Sequence, residues 1–305
     1  MMGYIIQRVM NSLNFYKYID IYIMSNKTRK LCASCLKLDF NKTLKSSNKR
    51  KPKWLNKINY VEEFVKKNAE NFTNRHPKNY NNVIKLDVGK KFSNRKILYW
   101  CAKPSNKLVI NGAKEAYGNF SNSGVATVDE NGFAKIKFLV PQNYKTVIKN
   151  ENDNTTFFKH IHYVISNKNN TDWIFSVLTK LIHSNYNYKE FIQKLNSKIV
   201  VVLNVLPCEY YAKDHIPNTF NLPVSKIKKM SIKELNEWFS SVIDSHYPKL
   251  KKLIPDKLKL YEIPIISYCG HNKCSASKNG AEELMKKGFV NVSLYEDGMK
   301  GYNKA

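Results

Sequence analysis

The run Ile199-Val200-Val201-Val202-Leu203-Asn204-Val205 constrains the fold of this chain more than any other stretch. It is dominated by β-branched residues and lacks the polar alternation of a half-exposed strand. Such a strand must be covered on both faces, as in a parallel sheet flanked by helices. A second apolar segment, Ile263-Pro264-Ile265-Ile266-Ser267-Tyr268, ends at Cys269, and a helical run follows from Ser275 to Met285. Gly288 closes that helix, and Val290-Asn291-Val292-Ser293-Leu294-Tyr295 reads as a further strand. Strand, helix and strand in this order predict an α/β domain in the C-terminal third.

Cys269 stands where a strand gives way to a helix. Amides at the helix start and the positive end of its dipole favour thiolate over thiol there. The loop Cys269-Gly270-His271-Asn272-Lys273-Cys274 adds a histidine, a lysine and a second sulfur. A reactive nucleophile is one reading; a small apolar residue ending a buried strand is the other.

Three further segments complete a pattern with Cys269. One is the strand at 199–205, and the next is Glu209-Tyr210-Tyr211-Ala212-Lys213-Asp214-His215-Ile216-Pro217-Asn218-Thr219-Phe220-Asn221-Leu222-Pro223-Val224. The third is the terminal Glu296-Asp297-Gly298-Met299-Lys300-Gly301-Tyr302. Together they resemble the rhodanese family. The resemblance implies a mainly parallel five-stranded sheet, no required cofactor, and Cys269 as a nucleophile that carries sulfane sulfur as a persulfide. By position, Gly270, His271, Asn272, Lys273 and Ser275 belong to the anion loop, whose backbone would cradle the persulfide or thiosulfate. Lys273 would supply charge to an incoming anion, or stand as a solvated loop lysine. His271 is expected to be exposed rather than a general base.

Departures from the family pattern bear on the chemistry. Cys274 stands where many members have arginine, and Cys269, Cys274 and Ser277 fit a second version of the loop, C-x-x-x-x-C-x-x-S. Cys274 could then attack a persulfide on Cys269 and leave an intraloop disulfide. Asn204, Leu206 and Tyr302 replace the family's aspartate, arginine and tryptophan. The related phosphatases need a longer loop and an arginine six positions after the cysteine. Ser275 stands there, which argues against phosphatase chemistry.

From Val83 to about His183 short apolar runs alternate with Asn, Gly and Lys, as in an antiparallel β-sandwich. Predicted strands are 96–102, 124–128, 134–140 and 160–165, with a turn at Asp129-Glu130-Asn131-Gly132. In His160-Ile161-His162 both imidazoles lie on one strand face, about 7 Å apart, a placement suited to metal binding and equally to two satisfied histidines. The segments 128–133, 138–144 and 160–163 resemble the core of the intradiol ring-cleavage dioxygenases. That resemblance implies a non-haem iron held by Tyr144, His160 and His162, with Tyr117 as the weak match to the fourth ligand and Tyr99 a weaker one. Phe157-Phe158-Lys159 stands where that family has Arg-Pro-Ala, so the reading is a sandwich that binds iron or nothing, without catechol cleavage.

The formal net charge of +27 points to polyanions. Lysine far outnumbers arginine, however, which argues against specific base readout and leaves loose, salt-sensitive binding. Basic residues concentrate between Ser25 and Lys57, where Asp39 is the single acid. A solvated, disordered tail is the preferred reading, with a nucleic-acid or membrane-surface arm as the alternative. Cys32 and Cys35 form a lone C-x-x-C without a second pair, and Cys101 and Cys208 read as structural or incidental. The apolar runs within residues 1–24 fall short of the ~20 residues a spanning helix needs, and Met1 or Met24 could be the start. Free-thiol chemistry suits an intracellular, cytoplasmic setting, with a virion as the alternative.

The sequence thus divides into a basic, largely disordered or helical segment (1–80), a β-sandwich (81–185) and a rhodanese-like α/β domain (186–305). The leading expectation is a sulfurtransferase or persulfide carrier. Its partners would be thiosulfate or a low-molecular-weight persulfide, and a protein sulfur acceptor. The alternatives are an inactive two-domain scaffold or virion-type structural protein, and an iron-dependent dioxygenase with an appended rhodanese.

Overall fold

The structure, a computed structural model, describes residues 44–45, 60–108, 110–147 and 154–304. The Cys32–Cys35 pair, the runs within residues 1–24 and the basic stretch 25–57, apart from Leu44 and Lys45, lie outside the described residues. Those described all fall in one compact unit, residues 32–305.

Strands in the middle region follow the alternation of apolar side chains. β2 (Asn82–Asp87) pairs antiparallel with β6 (Phe133–Phe138), and Leu86, Ala134, Ile136 and Phe138 turn to one face. Among the described residues a larger antiparallel sheet has the order β1-β10-β9-β3-β5. Its strands are β1 (Leu44–Lys45), β3 (Lys96–Trp100), β5 (Ser123–Thr127), β9 (His160–Ser166) and β10 (Trp173–Leu181). Ile97, Tyr99, Ile161 and Tyr163 from this sheet share one apolar core with Leu86, Ile136 and Phe138 of the β2–β6 pair. A third, small sheet departs from the expected all-antiparallel plan. In it β4 (Asn111–Gly112) runs parallel to β7 (Tyr144–Val147), which pairs antiparallel with β8 (Asn154–Phe157). The middle region is therefore three sheets and not the expected two-sheet sandwich, because the chain after Pro141 leaves the main layers to form β7 and β8.

Among the described residues two α-helices accompany these sheets, α1 (Tyr60–Lys67) and α2 (Ala113–Tyr117). Phe64 of α1 stacks on Phe120 at 4.3 Å and meets Trp100 edge-on at 5.6 Å. The Trp173 indole donates to the Asn68 carbonyl at 2.6 Å, and Arg75 forms a bridge with Val125. Residues 60–80 are thus fastened to the β-sheets by aromatic stacking and main-chain bonds.

The C-terminal third is the α/β domain. Its sheet has the order β12-β11-β13-β14, with β11 (Val201–Asn204), β12 (Phe220–Asn221), β13 (Ile265–Tyr268) and β14 (Val292–Tyr295), all parallel. Every residue of β11, β13 and β14 is buried, as expected of strands covered on both faces. Helices α3 (Tyr188–Ser197), α4 (Cys208–Lys213), α5 (Val224–Lys229), α6 (Ile232–His246), α7 (Pro248–Lys251), α8 (Ala276–Lys286) and α9 (Gly298–Tyr302) supply the cover. Capping boxes start α3 at Asn187–Glu190 and α6 at Ser231–Glu234.

Among the described residues the resemblance's five strands become four plus an isolated parallel bridge from Asn185 to Leu294. The reason is local. The bridge consists of the Tyr186 N–H to the Leu294 carbonyl at 2.9 Å and the Leu294 N–H to the Ser184 carbonyl at 2.7 Å, and Asn187 then already caps α3. No length remains for a ladder.

The α/β domain and the β-sheets join through polar contacts. Asn143 Nδ2 donates to the Val290 carbonyl at 2.8 Å, and Thr156 Oγ1 donates to Glu262 Oε1 at 2.5 Å. Lys145 pairs with the same buried carboxylate at 3.2 Å. No helix among the described residues is long and apolar enough to cross a membrane.

Phe191 of α3 stacks flat on Tyr295 of β14, ring centroids 4.0 Å apart, at the centre of the α/β core. Phe191→Ala is expected to cost about 3–5 kcal/mol of folding stability. Equilibrium denaturation checks this, and a loss under ~1 kcal/mol would show that α3 is not part of the core.

Candidate functional site

Cys269 directly follows β13 and is buried. Two amides of the last helix fix its backbone: Met299 N–H donates to the Cys269 carbonyl at 3.0 Å and Lys300 N–H to that of Gly270 at 2.9 Å. This approach requires Gly298. Its φ is +57°, and a Cβ there would lie 2.1 Å from the Cys269 carbonyl oxygen. On the other side of the loop, a Cβ on Gly270 would meet nothing within 4 Å, so the path toward the loop is open there.

The Cys269 sulfur lies 3.5 Å from the Cys274 carbonyl and 3.8 Å from that of His271, both acceptors for its S–H. Burial holds the thiol above its ordinary pKa, and the Cys274 side chain adds to the rise. The Ser277 hydroxyl and N–H act the other way by donating to the sulfur. The expectation of a thiolate favoured by the loop and helix end is corrected on this point. Desolvation outweighs the donors when carbonyls as well as amides face the sulfur.

The other loop residues differ in exposure. His271, Asn272, Lys273 and Ser275 are exposed, Gly270 and Cys274 partly buried. Lys273 N–H donates to His271 Nδ1 at 3.2 Å, and Cys274 N–H to the His271 carbonyl at 2.9 Å, so His271 braces the loop. Ser275 caps α8, and both loop cysteines are free thiols. Asn204 ends β11 and accepts the Leu206 N–H at 2.9 Å. Tyr302 packs against the same core as Phe191. Gly298, Met299 and Lys300 escaped the sequence reading as contributors to the loop. Gly298 ahead of the short terminal helix was the legible signal.

A second group of side chains gathers in the β-sheets. Tyr144 Oη lies 3.0 Å from His160 Nε2 and 3.1 Å from Tyr117 Oη, and Tyr117 Oη lies 3.4 Å from His160 Nε2. His160 and His162 face each other Nε2 to Nε2 at 3.0 Å. Adjacent strand positions i and i+2 share a face, β7 brings Tyr144 alongside, and α2 delivers Tyr117. The outer ring atoms are held as well: His160 Nδ1 faces the Phe158 carbonyl at 2.7 Å, His162 Nδ1 the Thr179 hydroxyl at 2.8 Å. A carbonyl only accepts, so His160 carries its proton on Nδ1 and presents a lone pair at Nε2. Burial keeps both imidazoles neutral, His160 lowered to about 4 and His162 well below its ordinary value. Tyr99 lies apart from the group, its hydroxyl donating to the Lys137 carbonyl at 2.7 Å. Among the described residues no three His, Cys, Asp or Glu gather as a metal site.

Residues 187–305 match the rhodanese-like domain family, and this part of the chain is a rhodanese-like domain. Similar solved structures include the human single-domain sulfurtransferase TSTD1, at 16% identity over 40% of this chain and 97% of that one, TM-score 0.29. The Saccharomyces cerevisiae single-domain sulfurtransferase RDL2 shares 13% identity over 40% of this chain and 90% of its own, TM-score 0.29. A rhodanese-related protein from Thermoplasma volcanium shares 20% over 40% and 92%, TM-score 0.26. None of the curated proteins matches the chain.

The raised Cys269 pKa has a definite sign in reactivity. The thiolate fraction is small at neutral pH and grows about tenfold per pH unit until the pKa is reached. Alkylation of Cys269 by iodoacetamide, followed by peptide mass spectrometry, should therefore keep accelerating through pH 9. A plateau below pH 8 would show instead that the loop donors prevail over burial.

Proposed function

We propose that the rhodanese-like domain is a sulfurtransferase or persulfide carrier with Cys269 as its sulfur-accepting nucleophile. The observation that carries this reading is the clamped loop: a free thiol at the end of a buried parallel strand, fixed by the Met299 and Lys300 amides and open beside Gly270. In the first step the Cys269 thiolate attacks the outer sulfur of thiosulfate. The S–S bond of the donor breaks, sulfite leaves with the electron pair, and Cys269 becomes a persulfide. The loop backbone around Gly270–Ser275 and the exposed Lys273 face the incoming and leaving anions.

The persulfide has two exits. An acceptor thiolate can attack the terminal sulfur, releasing Cys269 as thiolate. Alternatively, Cys274 attacks Cys269 Sγ, which forms the Cys269–Cys274 disulfide and expels hydrosulfide. Reduced protein incubated with thiosulfate or a low-molecular-weight persulfide is expected to gain the mass of one sulfur atom. The gain should disappear in Cys269→Ser and persist in Cys274→Ser. No adduct with either donor in the wild type would leave a scaffold with a rhodanese fold.

A second reading concerns the β-sheets: Tyr117, Tyr144, His160 and His162 hold a metal ion, with non-haem iron the best match. His160 Nε2 lies 3.0–3.4 Å from both phenol oxygens and from His162 Nε2, a donor set suited to a ferric ion. Outer hydrogen bonds from Phe158 and Thr179 orient the imidazoles as a metal ligand requires. A bound iron would supply a Lewis-acid centre. Ring cleavage is not proposed, since Phe157, Phe158 and Lys159 leave no arginine beside the cluster. Protein loaded with iron should retain about one ion per chain and show a tyrosinate charge-transfer colour, weakened in Tyr144→Phe and lost in His160→Ala. Full removal of iron from the wild type by desalting would end this reading.

A further inference from the structure

At the end of β13 and β14 remote from Cys269, a cavity of about 450 Å³ opens between the β-sheets and the rhodanese-like domain. Its walls include Asn81, Asn143, Lys159, Tyr186, Lys194 and Ser293. We propose that this cavity binds a small oxyanion, a carboxylate or phosphate whose carrier also offers a hydrogen-bond donor. Lys159 and Lys194 are its cationic partners, and Asn143 Oδ1 receives the donor.

Lys159 is 4% exposed, and its ammonium donates to Ser293 Oγ at 2.7 Å. No described carboxylate lies within ion-pair distance of it. The acidic side chain on the same wall, Glu190, is already engaged: one oxygen accepts Asn81 Nδ2 at 2.5 Å and the other the Asn187 N–H at 3.1 Å. A buried ammonium without a carboxylate is unfavourable, and an apolar side chain would fill the same space without that cost. An anion in the cavity is the compensation the site lacks.

Asn143 supplies an independent observation. Its Nδ2 donates to two carbonyls, those of Phe157 and Val290, each at 2.8 Å, so the amide orientation is fixed. Turning it over would set oxygen against two oxygens. Its Oδ1 is consequently buried with no donor in reach among the described residues. Buried acceptors are normally paired, so a ligand N–H or O–H is the missing group. Ser293 joins Lys159 to Tyr186, whose hydroxyl also bonds it. The volume falls in the roughly 300–1,000 Å³ range of small-molecule pockets. This site stands apart from Cys269 and does not depend on sulfur chemistry.

Calorimetric titration of the full chain with inorganic phosphate and, separately, malate tests the proposal. Wild type should bind one of them saturably, Lys159→Met about tenfold or more weakly, and Lys194→Met with an intermediate loss. Lys252→Met, an exposed control, should match wild type. The anion that binds identifies the phosphate or the carboxylate source. Without ligand, Lys159→Met should melt no lower than wild type, whereas a purely structural lysine would lower the melting temperature when removed. Binding of neither anion, or equal binding by Lys159→Met, overturns the proposal. Should that variant fail to fold, unchanged affinity in Lys194→Met overturns it.

Discussion

β13 is hydrogen-bonded along both edges, to β11 from Val201↔Ile265 to Asn204↔Tyr268 and to β14 from Ile265↔Val292 to Tyr268↔Tyr295. It is buried on both faces as well. A strand held in this way cannot slip by one residue without turning every side chain to the opposite layer. Both ends of the strand consequently become fixed points. One delivers Cys269 to the α9 clamp, and the other lays Ile265 and Ile266 along the cavity that contains Lys159.

The clamp shows how backbone geometry, rather than side-chain chemistry, prepares the loop. Met299 and Lys300 act through their amides, and Gly298 acts by having no side chain. Only a residue without a Cβ allows α9 to approach the Cys269 carbonyl so closely. The thiol then sits under opposing influences: burial and carbonyl neighbours favour the protonated form, and the Ser277 donors favour the anion.

The β-sheets use burial differently. Around His160 and His162, low polarity keeps the imidazoles neutral, and a carbonyl and a hydroxyl fix their outer nitrogens. Lys159, between β8 and β9 and adjacent to His160 in sequence, reaches Ser293 in the rhodanese-like domain. Neighbouring residues on one short segment thereby serve two different environments. The polar join at Asn143, Thr156, Lys145 and Glu262 holds those environments in register.

The sequence alone determined what depends on local pattern. An unbroken β-branched run signals a strand covered on both faces, and a cysteine between an apolar strand and a helix marks a candidate nucleophile. His160 and His162 share a strand face by the period of two. These are properties of short windows, where side-chain chemistry and backbone period act together. The tertiary structure decided what depends on distance. It reduced the fifth parallel strand to a single bridge from Asn185 to Leu294, because the cap of α3 follows at Asn187. It divided the middle region into three sheets, and it raised the Cys269 pKa through burial that no loop motif encodes. It also turned Lys159, in sequence only a departure beside the histidines, into a buried cation facing another domain. Burial and long-range hydrogen bonds are sums over the whole fold, and no single stretch of chain contains them.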